Sequence, residues 1–310
     1  MQTERPPTID PVAAHRWAHR LPPKAGTASP WLHEEVARRM EARLEWIVQQ
    51  PKSWVHWQPL QGGLQAHSLL TQRYPASQSY VVEQTEQRTA QVRQQLTPAW
   101  WRAERWRSNS TQFSAPTEPC QMVWANMALH MSADPLALIT RWHQLLDTDG
   151  FVMFTCLGPD TLQELRTLYA DMGWPPPTHD FTDMHDWGDM LVQAGFAEPV
   201  MDMERIRLTY SSPAGLMDEL RQLGRNLHPQ RTKGLHGRAW REALYHSIAT
   251  RMQQPAENGR LAVTFEIIYG HAFKPQPRIK VQPNTTFTLE QMQAALRDGK
   301  AKAKNQPDKL

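Results

Sequence analysis

Trp54-Val-His-Trp-Gln-Pro-Leu-Gln-Gly-Gly-Leu-Gln-Ala-His67 decides how this chain is read. The stretch has the form of a short strand (53–57), a turn with paired glycines, and the start of a short helix (64–73). In an open α/β sheet the first strand-to-helix turn is where a nucleotide lies, because backbone groups can approach it and the helix N-terminus faces it. Glycines at such a turn permit positive φ and close approach. Here Gly62 and Gly63 supply that freedom, while Gln58, Pro59 and Leu60 occupy the other loop positions. Considered by itself, the stretch reads as an ordinary turn.

The flanking segments supply the context. Upstream, Ser29-Pro30 has the pattern of a helix start, serine as N-cap and proline in the first turn. Leu32, Val36, Met40, Leu44 and Ile47 follow at helical spacing, predicting a helix over 31–48. Downstream, a second strand (78–82) closes on Glu83, and a helix runs through Arg88, Val92 and Leu96. A strand at 121–125 leads to Asp134-Pro135, which opens a helix with Ile139, Trp142 and Leu146 on one face. Asp147-Thr-Asp-Gly150 reads as a turn, and 151–157 as a nearly unbroken apolar strand. Strand and helix alternate about every 30 residues, the rhythm of a parallel sheet with right-handed crossovers. Beyond residue 160 that rhythm changes: helices near 160–170 and 186–194, a strand at 199–210, helical segments at 213–224 and 236–254, and a strand at 260–270. The expected fold is Rossmann-like, doubly wound α/β. Residues 1–30 read as a loose N-terminal arm, 31–275 as the domain, and 276–310 as a polar tail holding a short helix near 289–297.

Composition narrows the class. The chain has 310 residues, 40% hydrophobic and 21% charged, which is globular. No apolar run approaches the ~18 residues of a membrane span, and the first 30 residues lack the pattern of a secretion signal. Two cysteines, Cys120 and Cys156, cannot make a disulfide framework or a four-ligand metal site, so a reducing cytoplasmic setting is expected. A net charge of +3 does not by itself imply nucleic acid. Thirteen tryptophans point to core positions and pocket walls.

Several residues are candidates for a site. Glu83 ends the second strand about twenty residues beyond the glycines, placed to accept hydrogen bonds from both ribose hydroxyls of a nucleotide. It is also readable as a solvated carboxylate. Asn126 lies at the end of the third strand, in Trp124-Ala-Asn-Met-Ala-Leu-His130, and either caps the next segment or holds a ligand's carboxylate or amine. His130 reads as a packed or surface histidine. Thr178-His-Asp-Phe-Thr-Asp-Met-His-Asp-Trp-Gly-Asp189 carries oxygen and nitrogen donors, with Thr182 or Asp183 expected to cap a helix rather than ligate a metal. Trp100-Trp-Arg-Ala-Glu-Arg-Trp-Arg107 interleaves aromatics and arginines, but no companion RNA-binding motif accompanies it.

Three more stretches join the Asn126 segment in one resemblance: Phe151-Val-Met-Phe-Thr-Cys-Leu-Gly-Pro-Asp-Thr-Leu-Gln-Glu-Leu165, Gly234-Leu-His-Gly-Arg238 and Thr264-Phe-Glu-Ile-Ile-Tyr-Gly-His-Ala-Phe273. With Leu32-His-Glu-Glu-Val-Ala-Arg-Arg-Met40, they resemble the malonyl-acyl-carrier-protein O-methyltransferases of biotin synthesis, class I S-adenosylmethionine-dependent enzymes. The resemblance runs from about 31 to 274. It implies a mainly parallel sheet with an antiparallel last strand and a helical lid. It also implies S-adenosylmethionine as cofactor, and a malonyl-acyl carrier protein as partner. Aligned on that family, His56 takes the place of an acidic residue, Gln58 and Leu60 take glycine places, and Gly62 keeps the last glycine. Gly63 adds a second one beside it, Glu83 matches the ribose-binding acid, and Asn126 a position next to the cofactor. Arg221, Arg225, Arg231, Lys233, Arg238 and Arg241 are readable as a solvated face or as a docking patch for an acidic carrier, with Arg231 and Arg238 the candidates to reach the substrate. Methyl transfer to an ionised carboxylate requires no general base, which suits a chain with no hydrolytic triad. The departures in the loop leave a second reading open: a catalytically idle relative that keeps the carrier-binding surface as a partner or regulator.

Overall fold

Alternating side chains in the central strands sort into two layers, as a period of two requires. Trp54, Met122, Trp124, Phe151 and Met153 pack on one face, while Val55, Trp57, Val123, Ala125, Val152 and Phe154 pack on the other. In this computed structural model the described residues are 9–20, 29–97, 111–234, 237–254 and 258–277. The aromatic segment 100–107 and the helix expected near 289–297 lie outside them.

The elements run β1 (Ser53–Trp57), β2 (Gln78–Val82), β3 (Cys120–Ala125), β4 (Leu146–Leu157), β5 (Ala197–Tyr210), β6 (Gln253–Gln254) and β7 (Arg260–Phe273). The sheet order is β2-β1-β3-β4-β7-β5, with the short β6 also on β7. β2, β1, β3 and β4 pair in parallel, and β7 is antiparallel to both β4 and β5. The fold is therefore Rossmann-like and doubly wound, with an antiparallel last strand. From β1 the chain steps to one side for β2 and to the other for β3. The carboxyl ends of β1 and β3 thus flank a topological switch point, where open α/β sheets form a crevice.

The helices are α1 (Pro11–Ala18), α2 (Trp31–Ala42), α3 (Pro59–Gly62), α4 (Gln65–Arg73), α5 (Glu86–Leu96), α6 (Pro135–Leu145), α7 (Gln163–Asp171), α8 (Met184–Gln193), α9 (Pro213–Leu223) and α10 (Arg238–Arg251). α2, α4, α7, α9 and α10 bury Leu32, Val36, Leu70, Leu165, Leu216 and Ile248 against the first face. α6 and α8 bury Ile139, Trp142, Trp187 and Leu191 against the second. Each such side chain contributes about 1.5–3 kcal/mol on burial. α9 and α10, between β5 and β7, pack on one another, and α10 also packs on α7. Asp134 caps α6 by accepting from Ala137 N at 3.0 Å, and Asp183 caps α8 by accepting from His185 N at 2.8 Å. Cys120 and Cys156 are free and buried. Among the described residues no helix is long and apolar enough to cross a membrane.

Three local expectations change. Ser29 does not cap α2, whose N-cap is Pro30 without a side-chain bond; its hydroxyl accepts instead from Leu64 N at 3.0 Å, across from the glycine loop. Asp147-Thr-Asp-Gly150 does bend the chain, with Asp149 at φ 62°. The bend is an excursion inside β4, because Asp149 N and Gly150 O both pair with Lys274 backbone. Inside the stretch read as an arm, Pro11–Ala18 is helical: Asp10 accepts from Val12 N at 2.9 Å, and Pro11 begins the first turn.

Gly270 is a glycine because β7 passes closely over a core ring. An added Cβ would lie 2.5 Å from Phe154 Cε1 and Cζ, and Phe154 is fully buried. Gly270→Ala is expected to cost about 1–3 kcal/mol through overpacking, read as a lower denaturant midpoint with an unchanged slope.

Candidate functional site

The glycine loop is wound more tightly than its sequence suggests. Gln58 adopts the left-handed region (φ 52°, ψ 51°), Pro59–Gly62 makes one helical turn, and Gly63 sits at φ 118°. Only glycine takes that last conformation without strain. Gly62 is required for another reason: an added Cβ would stand 2.5 Å from the Asn126 carbonyl oxygen.

Side chains from three other elements satisfy this turn's backbone. Leu60 N donates to Glu83 Oε1 at 2.8 Å. His33 Nδ1 donates to Gln61 O at 2.7 Å. Asn126 Nδ2 donates to Gly62 O and to His33 O at 2.8 Å, while Asn126 Oδ1 accepts from Thr155 Oγ1 at 2.5 Å. Glu34 accepts from Leu64 N at 2.9 Å and Gln65 N at 3.1 Å, so α2 supplies the cap of α4.

Glu83 is wholly engaged in this work. Its carboxylate is fully buried and pairs with Arg88 at 3.1 Å, itself 4% exposed. Burial pushes the Glu83 carboxyl up, and the Arg88 charge and the Leu60 amide pull it back. Arg88 also donates to Ala18 O at 3.0 Å, fastening the end of α1.

His56 lies on the α2 and α4 side of β1, stacked on His67 with ring centroids 5.6 Å apart and planes at 3°. His67 Nε2 lies 3.1 Å from Thr111 Oγ1. Burial lowers His56 well below the usual imidazole range and brings His67 and His33 to about 4, so these rings are neutral.

Two cavities open at the carboxyl ends of the strands. The smaller, about 170 Å³, lies at the switch point and is lined by Trp57, Gln58, Gly62, Gln84, Asn126 and, from α1, Trp17. The Arg141 guanidinium stands 4.8 Å over the Trp57 ring at its edge. The larger, about 490 Å³, lies against α7, α9 and β7 and is mainly apolar, with Leu165, Tyr169, Phe181, Met217 and Phe265 in its walls. Met131 lines both.

Of the residues singled out from sequence, Gln58, Gly62 and Asn126 therefore meet at the smaller cavity. His56, Gly63 and Glu83 lie beside it without lining it: His56 points to the opposite side of β1, and the Glu83 oxygens serve Leu60 and Arg88. Arg231 pairs with Asp10 at 2.8 Å and donates to His228 O at 2.8 Å. Arg238 begins α10, exposed. Neither lines the larger cavity; Arg225 does. Sequence reasoning also passed over Trp17, Gln84 and Arg141. For Trp17 a signal was present, since Asp10-Pro11 repeats the cap pattern of Asp134-Pro135.

The smaller cavity suits a nucleoside cofactor in kind, with amides from Gln58 and Gln84, indole faces, and a cation for a carboxylate end. It does not suit one in size while α1 stays in place, because about 170 Å³ falls below the ~300 Å³ at which ligand pockets begin.

Two outcomes follow from this geometry. Glu83→Ala leaves the Arg88 guanidinium buried and unpaired, and should cost about 3–5 kcal/mol; the double variant Glu83→Leu/Arg88→Met should recover much of that, as read by thermal melting. The neutral buried histidines fix a pH dependence. Their folded pKa lies below the unfolded value near ~6.5, so the unfolded chain takes up protons first. Stability is then complete above that value and is lost as pH falls towards about 4. His67→Phe should flatten that slope in melts taken from pH 7 to 4.5.

No protein-family model matches the chain. The chain is 38% identical to the malonyl-[acyl-carrier protein] O-methyltransferase of Gallionella capsiferriformans over 269 residues, covering 81% of this chain and 87% of the relative. It is 34% identical to the enzyme of the same name from Nitrosospira multiformis over 267 residues, covering 81% and 85%. Among solved structures, the YcgJ protein of Bacillus subtilis matches at 12% identity with a TM-score of 0.51, covering 78% of this chain and 99% of that one. At that identity the match speaks for the fold. Taken with the sheet order and the relatives' coverage, these likenesses place the chain in the malonyl-[acyl-carrier protein] O-methyltransferase family.

Proposed function

We propose that this protein transfers the methyl group of S-adenosylmethionine to the free carboxylate of malonyl-acyl carrier protein, in biotin synthesis. The observation that carries the reading is the pair of cavities with a common wall at Met131: a polar cleft at the switch point next to an apolar chamber large enough for an acyl arm. The cofactor supplies an electrophilic methyl on a sulfonium. Gln58, Gln84, Asn126 and Arg141 would hold it once α1 moves aside. The acceptor oxygen is already ionised at neutral pH, so no protein base takes a proton. The chain's contribution is to align the two partners and to exclude water from an apolar chamber. Exposed Lys233, Arg238 and Arg241 form a basic surface suited to an acidic carrier.

One observation favours the second reading, of a relative without turnover that still docks on the carrier: Glu83 is committed to the loop and to Arg88. Incubation of the full chain with S-adenosylmethionine and malonyl-acyl carrier protein, followed by intact mass measurement, separates the two. Gain of one methyl group on the malonyl form, and none on the acetyl form, is expected. Carrier binding without methyl gain, together with no calorimetric response to millimolar S-adenosylhomocysteine, would establish the idle relative.

A further inference from the structure

The larger cavity also has a polar side. Arg225 lines it just beyond α9. Its Nη1 donates to Gly224 O at 2.8 Å and to Arg221 O, and its guanidinium lies 5.7 Å from the Trp17 ring. Because Trp17 lines the smaller cavity, Arg225 stands where the walls of the two chambers meet. No carboxylate among the described residues is within ion-pair distance of it. Burial lowers its pKa, and the charged groups acting on it, Arg20 and Arg221, are both of its own sign and lower it further. Arg221 has Asp218 as its partner at 2.5 Å.

Two buried polar atoms in the same wall also lack a partner, Thr178 Oγ1 and His179 Nδ1. His179 is 4% exposed. Its Nε2 donates to His130 O at 2.9 Å, so in the neutral ring Nδ1 bears a free lone pair. The wall therefore offers a cation without a counter-ion, a hydroxyl and a bare acceptor, arranged along an apolar chamber.

We propose that Arg225 is the specificity-determining residue of this chamber, binding the carboxylate of an acyl-thioester acceptor, while Thr178 and His179 take up the amide groups of its arm. The inference rests on the methyl-acceptor reading of the larger cavity and replaces Arg231 and Arg238 as the residues that reach the acceptor. A charged hydrogen bond to a carboxylate contributes ~1.5–3 kcal/mol, or a roughly 10- to 100-fold preference for a charged over a neutral acyl group.

Titrating the full chain with malonyl-pantetheine and acetyl-pantetheine, with no methyl donor present, tests this. The unaltered protein should bind the malonyl compound at least about tenfold more tightly. Arg225→Met should remove that preference and leave acetyl-pantetheine affinity unchanged, and Arg225→Lys should restore part of it. His179→Phe should weaken both compounds by a similar factor, keeping their ratio. An unaltered protein with no preference or no binding, or an Arg225→Met variant that keeps the preference, overturns the proposal. The methyl-transfer assay stands apart from these titrations. Transfer to malonyl carrier with an indifferent Arg225 sinks this proposal alone, whereas an Arg225-dependent preference without transfer sinks the enzymatic reading alone.

Discussion

Peptide groups at the end of a strand cannot stay unpaired once they are covered, and in this protein that requirement falls on the turn from Gln58 to Leu64. In an open nucleotide loop, some of those groups face a ligand. Here Leu60 N is satisfied by Glu83, Gln61 O by His33, Gly62 O by Asn126 and Leu64 N by Ser29 and Glu34. The turn binds α2, β2 and β3 to one another, and the cleft beside it inherits its shape from that binding.

The same arrangement explains why the loop's unusual residues are tolerated. Pro59 is suited to the first position of a helical turn, where its missing N–H is no loss. Leu60 is buried and packs with Leu64, Val81 and Val92, a use that no glycine could serve. The loop exchanges ligand-facing freedom for internal packing. The cleft is left with the side chains of Gln58 and Gln84, while α1 forms its outer wall. Arg88 links these features, since one guanidinium reaches both the Glu83 carboxylate and the last carbonyl of α1.

Much of the fold was legible from residue patterns. β1 and β2 fall on the expected residues, and α5, α6, α8 and α9 within a residue or two of the expected spans where those were stated, because the apolar period and the Ser, Thr and Asp caps are local properties. Misreadings occurred where a local signal had a distant use. Ser29 has the chemistry of a cap, and it spends that chemistry on Leu64, 35 residues away. Asp147–Gly150 has the composition of a turn, and pairing with Lys274 absorbs it into β4.

Local patterns along the chain set the order of strands and helices, the two-layer core, and the position of Gln58, Gly62 and Asn126 at the strand ends. Those follow from periodicity and from turn chemistry, which act between near neighbours. Tertiary structure alone decided which polar groups remain available. Glu83 was correctly placed at the end of β2, yet its oxygens are claimed by a residue five positions on and an amide 23 positions back. Arg231 and Arg225 belong to the same basic stretch of sequence, and only folding gives one of them Asp10 and leaves the other beside an apolar chamber. Hydrogen-bond and charge partners are chosen across the fold, by proximity that no pattern along the chain encodes.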